Sequence, residues 1–560
     1  MIANKIHKIL IYVILLFILH NLFSCSGKNE NYNGKRTFFI NSRKGSDSNS
    51  GLSKDKPFKT LSKLQNINVM AGDKILIASG NVFKGSLILK NIEGTSEDPI
   101  IISSYGKGAK PLINAKGYLN GILLENCSFI EIKNISITAE GKTSNKDKST
   151  EGDMRCGIKI NISKDGNYSH IHIKNIDIYN IFFENTGVKR SEEEVRTANG
   201  TQKYGFGIRI FNNHKNSQLS NIKISNCKIR NVSHTGIKFT ASRRSDLGYG
   251  VKNIEISGNK ILYTGGPGIQ MSGISDCIVS KNTVDHSGSN NDARKWGRGS
   301  GLWTWGSNNI LIEHNKFLNA NGPGDSAGAH IDFNCSNVIM QYNLSVNNAG
   351  GFCEILGNNY NCSYRYNVSI NDGYRKKGVN GAFQEGKIIW LSGYSGKKSK
   401  RKGPFNSYIY NNTIYVKKDI VAKIAIDKNA RGVLIANNIF YLEGSCKLVK
   451  GDQYKPEEDG KTRIKNVVFK NNIYLNRSNW PENAPIQDKE PIFGDPKFKD
   501  PGGVNIKDYI PQNIKLIKDK GVHIQKLPGD KTGLKNGLKV KKDILGNNII
   551  NKPDIGAIEI

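Results

Sequence analysis

One short pattern recurs along the chain and restricts what it can fold into. Apolar residues alternate over a few positions, and Asn follows. It reads Ile130-Glu-Ile-Lys-Asn134, Ile171-His-Ile-Lys-Asn175, Ile222-Lys-Ile-Ser-Asn226, Ile254-Glu-Ile-Ser-Gly-Asn259 and Ile310-Leu-Ile-Glu-His-Asn315, and continues through Asn343, Asn367, Asn412, Asn438 and Asn472. The shortest intervals are 23 residues, from Asn259 to Asn282, and 24, from Asn343 to Asn367. Period-2 alternation over four to six residues is strand, not helix. Asn at a fixed place after each strand suits a tight corner, because it tolerates the left-handed conformation and bonds locally. On stacked turns such side chains can form an amide ladder. Each unit is too small to bury its own apolar face, so the units must stack. Propeller repeats are about twice as long. The pattern therefore predicts an all-β fold, a single-stranded right-handed parallel β-helix.

Both ends carry cap signals. Phe58, Leu61 and Leu64 have helical spacing and predict an amphipathic N-terminal plug. The expected division is a signal peptide over 1–24, a tether over 25–36, the β-helix with its cap over 37–480, and a C-terminal extension packed on it over 481–560. Lys5 and Lys8 precede an apolar run that ends in Leu22-Phe23-Ser24-Cys25, as in a secretory signal. Leu-Phe-Ser-Cys resembles a bacterial lipobox, which implies that Cys25 is lipidated and that the protein is exported and anchored to the bacterial outer membrane, at the surface or in the periplasm. Eight further cysteines form no CxxC pair, so stacked free thiols are expected rather than a zinc site.

Lys and Arg outnumber Asp and Glu by 81 to 48, a formal net charge of +33, which favours polyanionic partners. Export removes nucleic acid from that set and leaves an anionic polysaccharide or oligosaccharide, met by a monomer. No Rossmann fingerprint, P-loop or HExxH occurs, so nucleotide and zincin chemistry have no support.

The start Phe38-Phe39-Ile40-Asn41 with Gly45-Ser46-Asp47, the stretch Gly72-Asp73-Lys74-Ile75-Leu76-Ile77, and the ending Asp554-Ile555-Gly556-Ala557-Ile558-Glu559 resemble the pectate-lyase-like parallel β-helix superfamily, in its exported carbohydrate-active lipoproteins of the Bacteroidetes type. The resemblance covers roughly residues 36–560 and implies the fold. It does not choose a reaction, because that superfamily holds lyases, hydrolases and non-catalytic proteins.

Residues facing outward at one strand position form a column along a β-helix, with turns about 4.8 Å apart, along which a sugar chain can lie. Aligning Gly157-Ile-Lys159, Gly207-Ile-Arg209, Gly236-Ile-Lys238, Gly268-Ile-Gln270, Gly301-Leu-Trp303, His330-Ile-Asp332 and Cys353-Glu354 gives the outward column Lys159, Arg209, Lys238, Gln270, Trp303, Asp332 and Glu354, with His330 two residues from Asp332. Insertions at 139–155, 183–205, 286–299 and 373–404 border it and carry Arg298. Exposed Trp303 and Trp305 suit stacking on a ligand.

Two chemistries fit these residues. In β-elimination on a uronate, a sulfated, ulvan-like glycan being the expected substrate, Arg209 and Lys238 neutralise the carboxylate while His330 or Lys238 removes the proton. Asp332 then orients His330 or joins Asp325 and Glu354 around Ca²⁺. The leaving group is a glycosidic oxygen for a lyase or a free hydroxyl for a dehydratase. In hydrolysis of a sulfated glycan such as a fucan, Asp332 and Glu354, 22 residues apart, would stack about 5 Å apart and act as a retaining pair, with Glu385 a further candidate. A non-catalytic glycan-binding lipoprotein is the third option. The cation-rich column favours elimination.

Overall fold

The computed structural model describes residues 35–141, 154–197, 203–241, 243–244, 248–449, 467–480 and 488–560. The expected signal peptide, Cys25 and most of the tether lie outside these residues.

Strands of successive turns pair in parallel into three sheets of 14, 12 and 14 strands. This is the parallel β-helix that the repeat predicts. The sequence period becomes register directly. In the 12-stranded sheet Ile158, Ile208, Ile237, Ile269, Leu302 and Ala329 are successive partners, all buried inside the coil. The glycine that precedes each by one residue is required by packing. A Cβ on Gly268 would lie 2.3 Å from Val284 Cγ1 and 2.7 Å from the carbonyl oxygen of Gly301 on the next turn.

The recurring Asn divides into two roles. Asn134, Asn175 and Asn226 occupy the left-handed corner themselves, with φ of 60°, 54° and 53°. From Asn259 onward the corner is taken by the preceding residue, and the Asn turns inward. Asn259, Asn282, Asn315, Asn343, Asn367, Asn412, Asn438 and Asn472 form a buried ladder. Each Nδ2 donates to the Oδ1 one turn on, as in Asn315 to Asn343 at 3.0 Å and Asn343 to Asn367 at 3.0 Å. The ladder ends on Asp488. Ile135, Ile176 and Cys227 hold the equivalent position in the earlier turns, so the ladder starts only at Asn259.

The N-terminal plug is a 3₁₀ turn, Leu61–Asn66, which buries Leu61 and Leu64 beside Phe58. The chain beyond 488 packs on the outside of the two 14-stranded sheets. Tyr509, Ile517, Ile555 and Ala557 cover Val368, Ile370, Tyr415 and Ile439, and Leu534 covers Tyr408 and Tyr410. That leaves the outer side of the 12-stranded sheet to the long insertions. All eight described cysteines are buried free thiols. Among the described residues no helix is long and apolar enough to cross a membrane.

Candidate active site

On the outer side of the 12-stranded sheet the partners run Lys159, Arg209, Lys238, Gln270, Trp303 and His330. The next turn pairs Ala327 with Gly351 and Ile331 with Ile355, which sets Glu354 beside His330, and Glu354 pairs with Trp390. The expected register is therefore off by two at one turn: His330, not Asp332, follows Trp303. Asp332 lies at the level of Trp305, with its N–H donating to the Thr304 carbonyl at 2.9 Å. Asp332 and Glu354 are diagonal neighbours rather than stacked ones, which removes the basis for a 5 Å separation.

Three partly buried carboxylates, Asp325, Asp332 and Glu354, feel one another's charge here. Asp325 comes from the Gly-rich turn that precedes the His330 strand. Its φ of 48° and that of Ser326, 65°, place two consecutive non-glycine residues in the left-handed region, a strained arrangement that its surroundings must hold. Gln384 Oε1 accepts from the Asp325 N–H at 2.6 Å, and Arg375 Nη1 donates to the Asp325 carbonyl at 2.9 Å. Arg298 grips the carboxylate with both arms, Nε to Oδ2 at 2.9 Å and Nη2 to Oδ1 at 3.1 Å. Its Nη1 donates to the carbonyls of Arg196 and Thr197, at the end of the short helix Glu192–Arg196, at 2.7 and 3.0 Å. Arg298 thus ties two insertions to the carboxylate.

The electrostatic outcome differs among the three acids. Burial acts to raise Asp325, but the charge and hydrogen bonds of Arg298 hold it below the ordinary carboxylate value. Burial pushes Asp332 up to about 7, against one hydrogen bond from the Phe333 N–H, and Asp325's charge adds to the rise. Glu354 is raised by burial and by the charge of Asp325, with Lys387 opposing. One ionised carboxylate thus stands beside two whose affinity for a proton is raised, Asp332 holding its proton below about pH 7.

His330 is 3.0 Å from Ser300 Oγ through Nδ1, and that hydroxyl also accepts the Ala327 N–H at 3.1 Å. The arrangement that also uses the Ser300 proton has the hydroxyl donating to Nδ1 and the imidazole proton on Nε2, while the other tautomer has Nδ1–H donating to the hydroxyl's second lone pair. Burial drives the imidazole pKa down to about 4, so the ring is neutral. In the tautomer with Ser300 as donor, Nε2 is placed to donate a hydrogen bond rather than to abstract a proton. Trp303 stacks on it at 5.9 Å. Trp305 is 37% exposed, and Phe333 meets it edge-on at 5.8 Å and then meets Tyr394 at 5.3 Å. These rings form an aromatic border next to Asp332.

The remaining expected site residues lie elsewhere. Lys238 and His330 are three turns apart, about 14 Å along the coil. Lys159 and Arg209 lie farther still, so the cations and His330 do not converge on one sugar carbon. Gln270 lies between the two groups and donates weakly to Ser272 Oγ at 3.4 Å. Glu385 forms an ion pair with Lys423 at 2.8 Å and accepts the Lys377 N–H at 2.8 Å, so it pins its loop. A Ca²⁺ site at Asp325 and Asp332 is not supported. Both Asp325 oxygens are taken by Arg298, and among the described residues no group of three or more His, Cys, Asp or Glu side chains suits a metal ion.

Sequence reasoning missed Arg375, Gln384, Ser300, Lys387 and Trp390. Trp390 was reachable by extending the column one turn past Glu354. Arg375 and Gln384 sit in an insertion with no period, where spacing carries no signal.

The fold is a parallel β-helix whose 12-stranded sheet carries a cluster of three carboxylates on its outer side. No protein-family model matches the chain. It is similar to a lacto-N-biosidase of Bifidobacterium longum subsp. longum, at 22% identity over 93% of this chain, and it spans 36% of that relative's length. Its fold is similar to that of the crystal structure of a GH136 lacto-N-biosidase from Eubacterium ramulus, with a TM-score of 0.51 and 19% identity over 82% of this chain and 68% of that one. Both are named lacto-N-biosidases, and nothing found supports a lyase of sulfated or ulvan-like glycans. The expectation of β-elimination is corrected accordingly, and the separation of Lys238 from His330 is its physical counterpart.

Proposed function

We propose that the protein is a glycoside hydrolase acting on an oligosaccharide of the lacto-N type named in both relatives. The observation that carries this is the opposite protonation of neighbouring carboxylates, with Asp325 held ionised by Arg298 and Asp332 kept protonated by burial. Hydrolysis of a glycosidic bond needs one acid to protonate the leaving oxygen and one carboxylate to attack or to activate water. In this reading Asp332 gives the proton and Asp325 is the carboxylate that attacks or serves as base. Neutral His330 and the second protonated acid, Glu354, donate hydrogen bonds to sugar hydroxyls. Trp303 and Trp305 supply apolar faces on which pyranose rings stack. The test is release of a chromophore from a chromogenic lacto-N-bioside. Activity lost in both Asp325→Asn and Asp332→Asn supports the pair, whereas full turnover by either variant removes that residue from the chemistry.

Export and anchoring through Cys25 form part of the same proposal, on the strength of Lys5, Lys8 and the Leu22–Cys25 stretch. Fatty-acid labelling of the wild type that Cys25→Ala abolishes is the expected result.

A further inference from the structure

The cations at the far end of the column remain unused by the hydrolytic site. Lys159, Arg209 and Lys238 are direct partners on three successive turns, and they leave the sheet on the side opposite the buried Ile158, Ile208 and Ile237. They are only 5, 3 and 4% exposed, and Gln270 on the next turn is 3% exposed. Like charges facing each other across paired strands repel. Buried charges without partners are costlier still.

Among the described residues no carboxylate forms an ion pair with any of the three. Neither lysine ammonium makes an ion pair or hydrogen bond; Lys238 only approaches the Phe206 ring, at 5.5 Å. Arg209 spends Nη1 on Thr240 Oγ1 at 2.7 Å and rests against Phe206 and Phe211, while its Nε is buried without a partner. Gln270 Oε1 is also buried without one. Glu125, the acid whose charge reaches Lys159, is engaged by Lys90 at 2.9 Å. The buried cations Arg298 and Lys423, by contrast, pair with Asp325 and Glu385, while Arg155 bonds backbone carbonyls alone and leaves Nε and Nη2 without partners. Burial, with the Arg209 charge beside it, pushes Lys238 well below its usual value, and burial lowers Lys159 as well, so without an anion these amines give up protons readily and an incoming anion would restore their charge. Three stacked basic side chains with no carboxylate paired to them are the chemistry of a site that takes its counter-charge from outside.

We propose that Lys159, Arg209 and Lys238 form an oxyanion-binding site, separate from the carboxylate cluster, that takes a carboxylate, sulfate or phosphate group. Two ammoniums and a guanidinium arm, about 4.8 Å apart from turn to turn, can surround the three oxygens of one such group with charge-assisted hydrogen bonds. The anion can arrive free in solution or as the acidic group of a sugar. The site lies three turns from His330, so occupying it leaves Asp325 and Asp332 clear. The inference does not rest on hydrolysis, and its readout is binding.

The experiment is titration calorimetry and thermal melting of the full chain with sodium sulfate, sodium phosphate and sialyllactose. Chloride and lactose, at matched ionic strength, are the controls. Saturable binding of at least one anion with a raised Tm is expected, weakened tenfold or more in both Lys238→Met and Arg209→Gln. Lys238→Met replaces a buried amine that has no hydrogen-bond partner and that burial and Arg209 disfavour in its charged form, so in anion-free buffer it is expected to melt at or above the wild-type Tm, which separates lost binding from lost folding. Sulfate or phosphate binding as tightly as sialyllactose identifies a free anion as the ligand, and sialyllactose alone identifies a sugar-borne acid. Absence of saturable binding by the wild type, or equal binding by the wild type and both variants, overturns the proposal.

Discussion

Replacing Arg298 with Met removes the cation that does most to keep Asp325 ionised, Arg375 adding a smaller share. The Arg298 side chain is 6% exposed and that of Asp325 is 25% exposed. Breaking a buried ion pair costs about 3–5 kcal/mol, and an exposed one less than about 1. With a quarter of the Asp325 side chain open to water, about 2 kcal/mol is the fitting figure. The carbonyls of Arg196 and Thr197 also lose their donor, which adds about 1 kcal/mol. Urea denaturation of Arg298→Met is expected to show a loss of about 3 kcal/mol. Asp325→Asn alone strands the arginine, while the double variant strands neither charge, so the cycle should return a coupling of about 2 kcal/mol. The sign with pH follows from the depressed pKa. Asp325 contributes stability above its unfolded value of about 3.9 and loses it as pH falls through the lower folded value, so the two proteins should converge in acid. Activity should fall as well. With Arg375 the weaker counter-charge that remains, burial raises Asp325, less of it stays ionised in mildly acidic solution, and kcat/KM falls by roughly tenfold. Single-variant losses that add to within about 0.5 kcal/mol would refute the pairing.

Three other outcomes follow from the geometry. Wild-type turnover should fall as pH rises through about 7, where Asp332 loses its proton. Its raised folded pKa also means that the stability it contributes in acid is lost as pH rises toward 7, a dependence that Asp332→Asn abolishes together with about 10³-fold of kcat/KM. Asn343→Ala removes the acceptor for the Asn315 N–H and Nδ2 and the donor to the Ile312 carbonyl, so a loss of about 3 kcal/mol in urea is expected. Trp305→Ala should raise KM severalfold with kcat little changed, as for a surface that binds ground state and transition state alike.

Much of the fold was legible because it is local and periodic. Ile222, Ile224 and Asn226 announce a strand and a corner on their own, and repetition forces stacking. The ladder from Asn259 to Asn472 was expected as a possibility of stacked amides. Its starting point was not, since that depends on whether the corner residue is the Asn or the residue before it. The column was legible as far as Trp303. There the 306–328 stretch intervenes, and spacing no longer counts turns, so the alignment slipped by two and interchanged His330 and Asp332.

The sequence by itself determined the parallel coil, the glycine and asparagine columns, and the face on which Lys159 through Glu354 would lie. A period of about one turn converts spacing along the chain into stacking in space. Only the tertiary structure decided which carboxylate is charged. Arg298, Asp325 and the pair Arg375 and Gln384 lie on three non-periodic segments, and the protonation of each acid depends on burial and on which cation reaches it across those segments. Proximity of that kind arises when the insertions fold over the sheet, and no interval in the sequence encodes it.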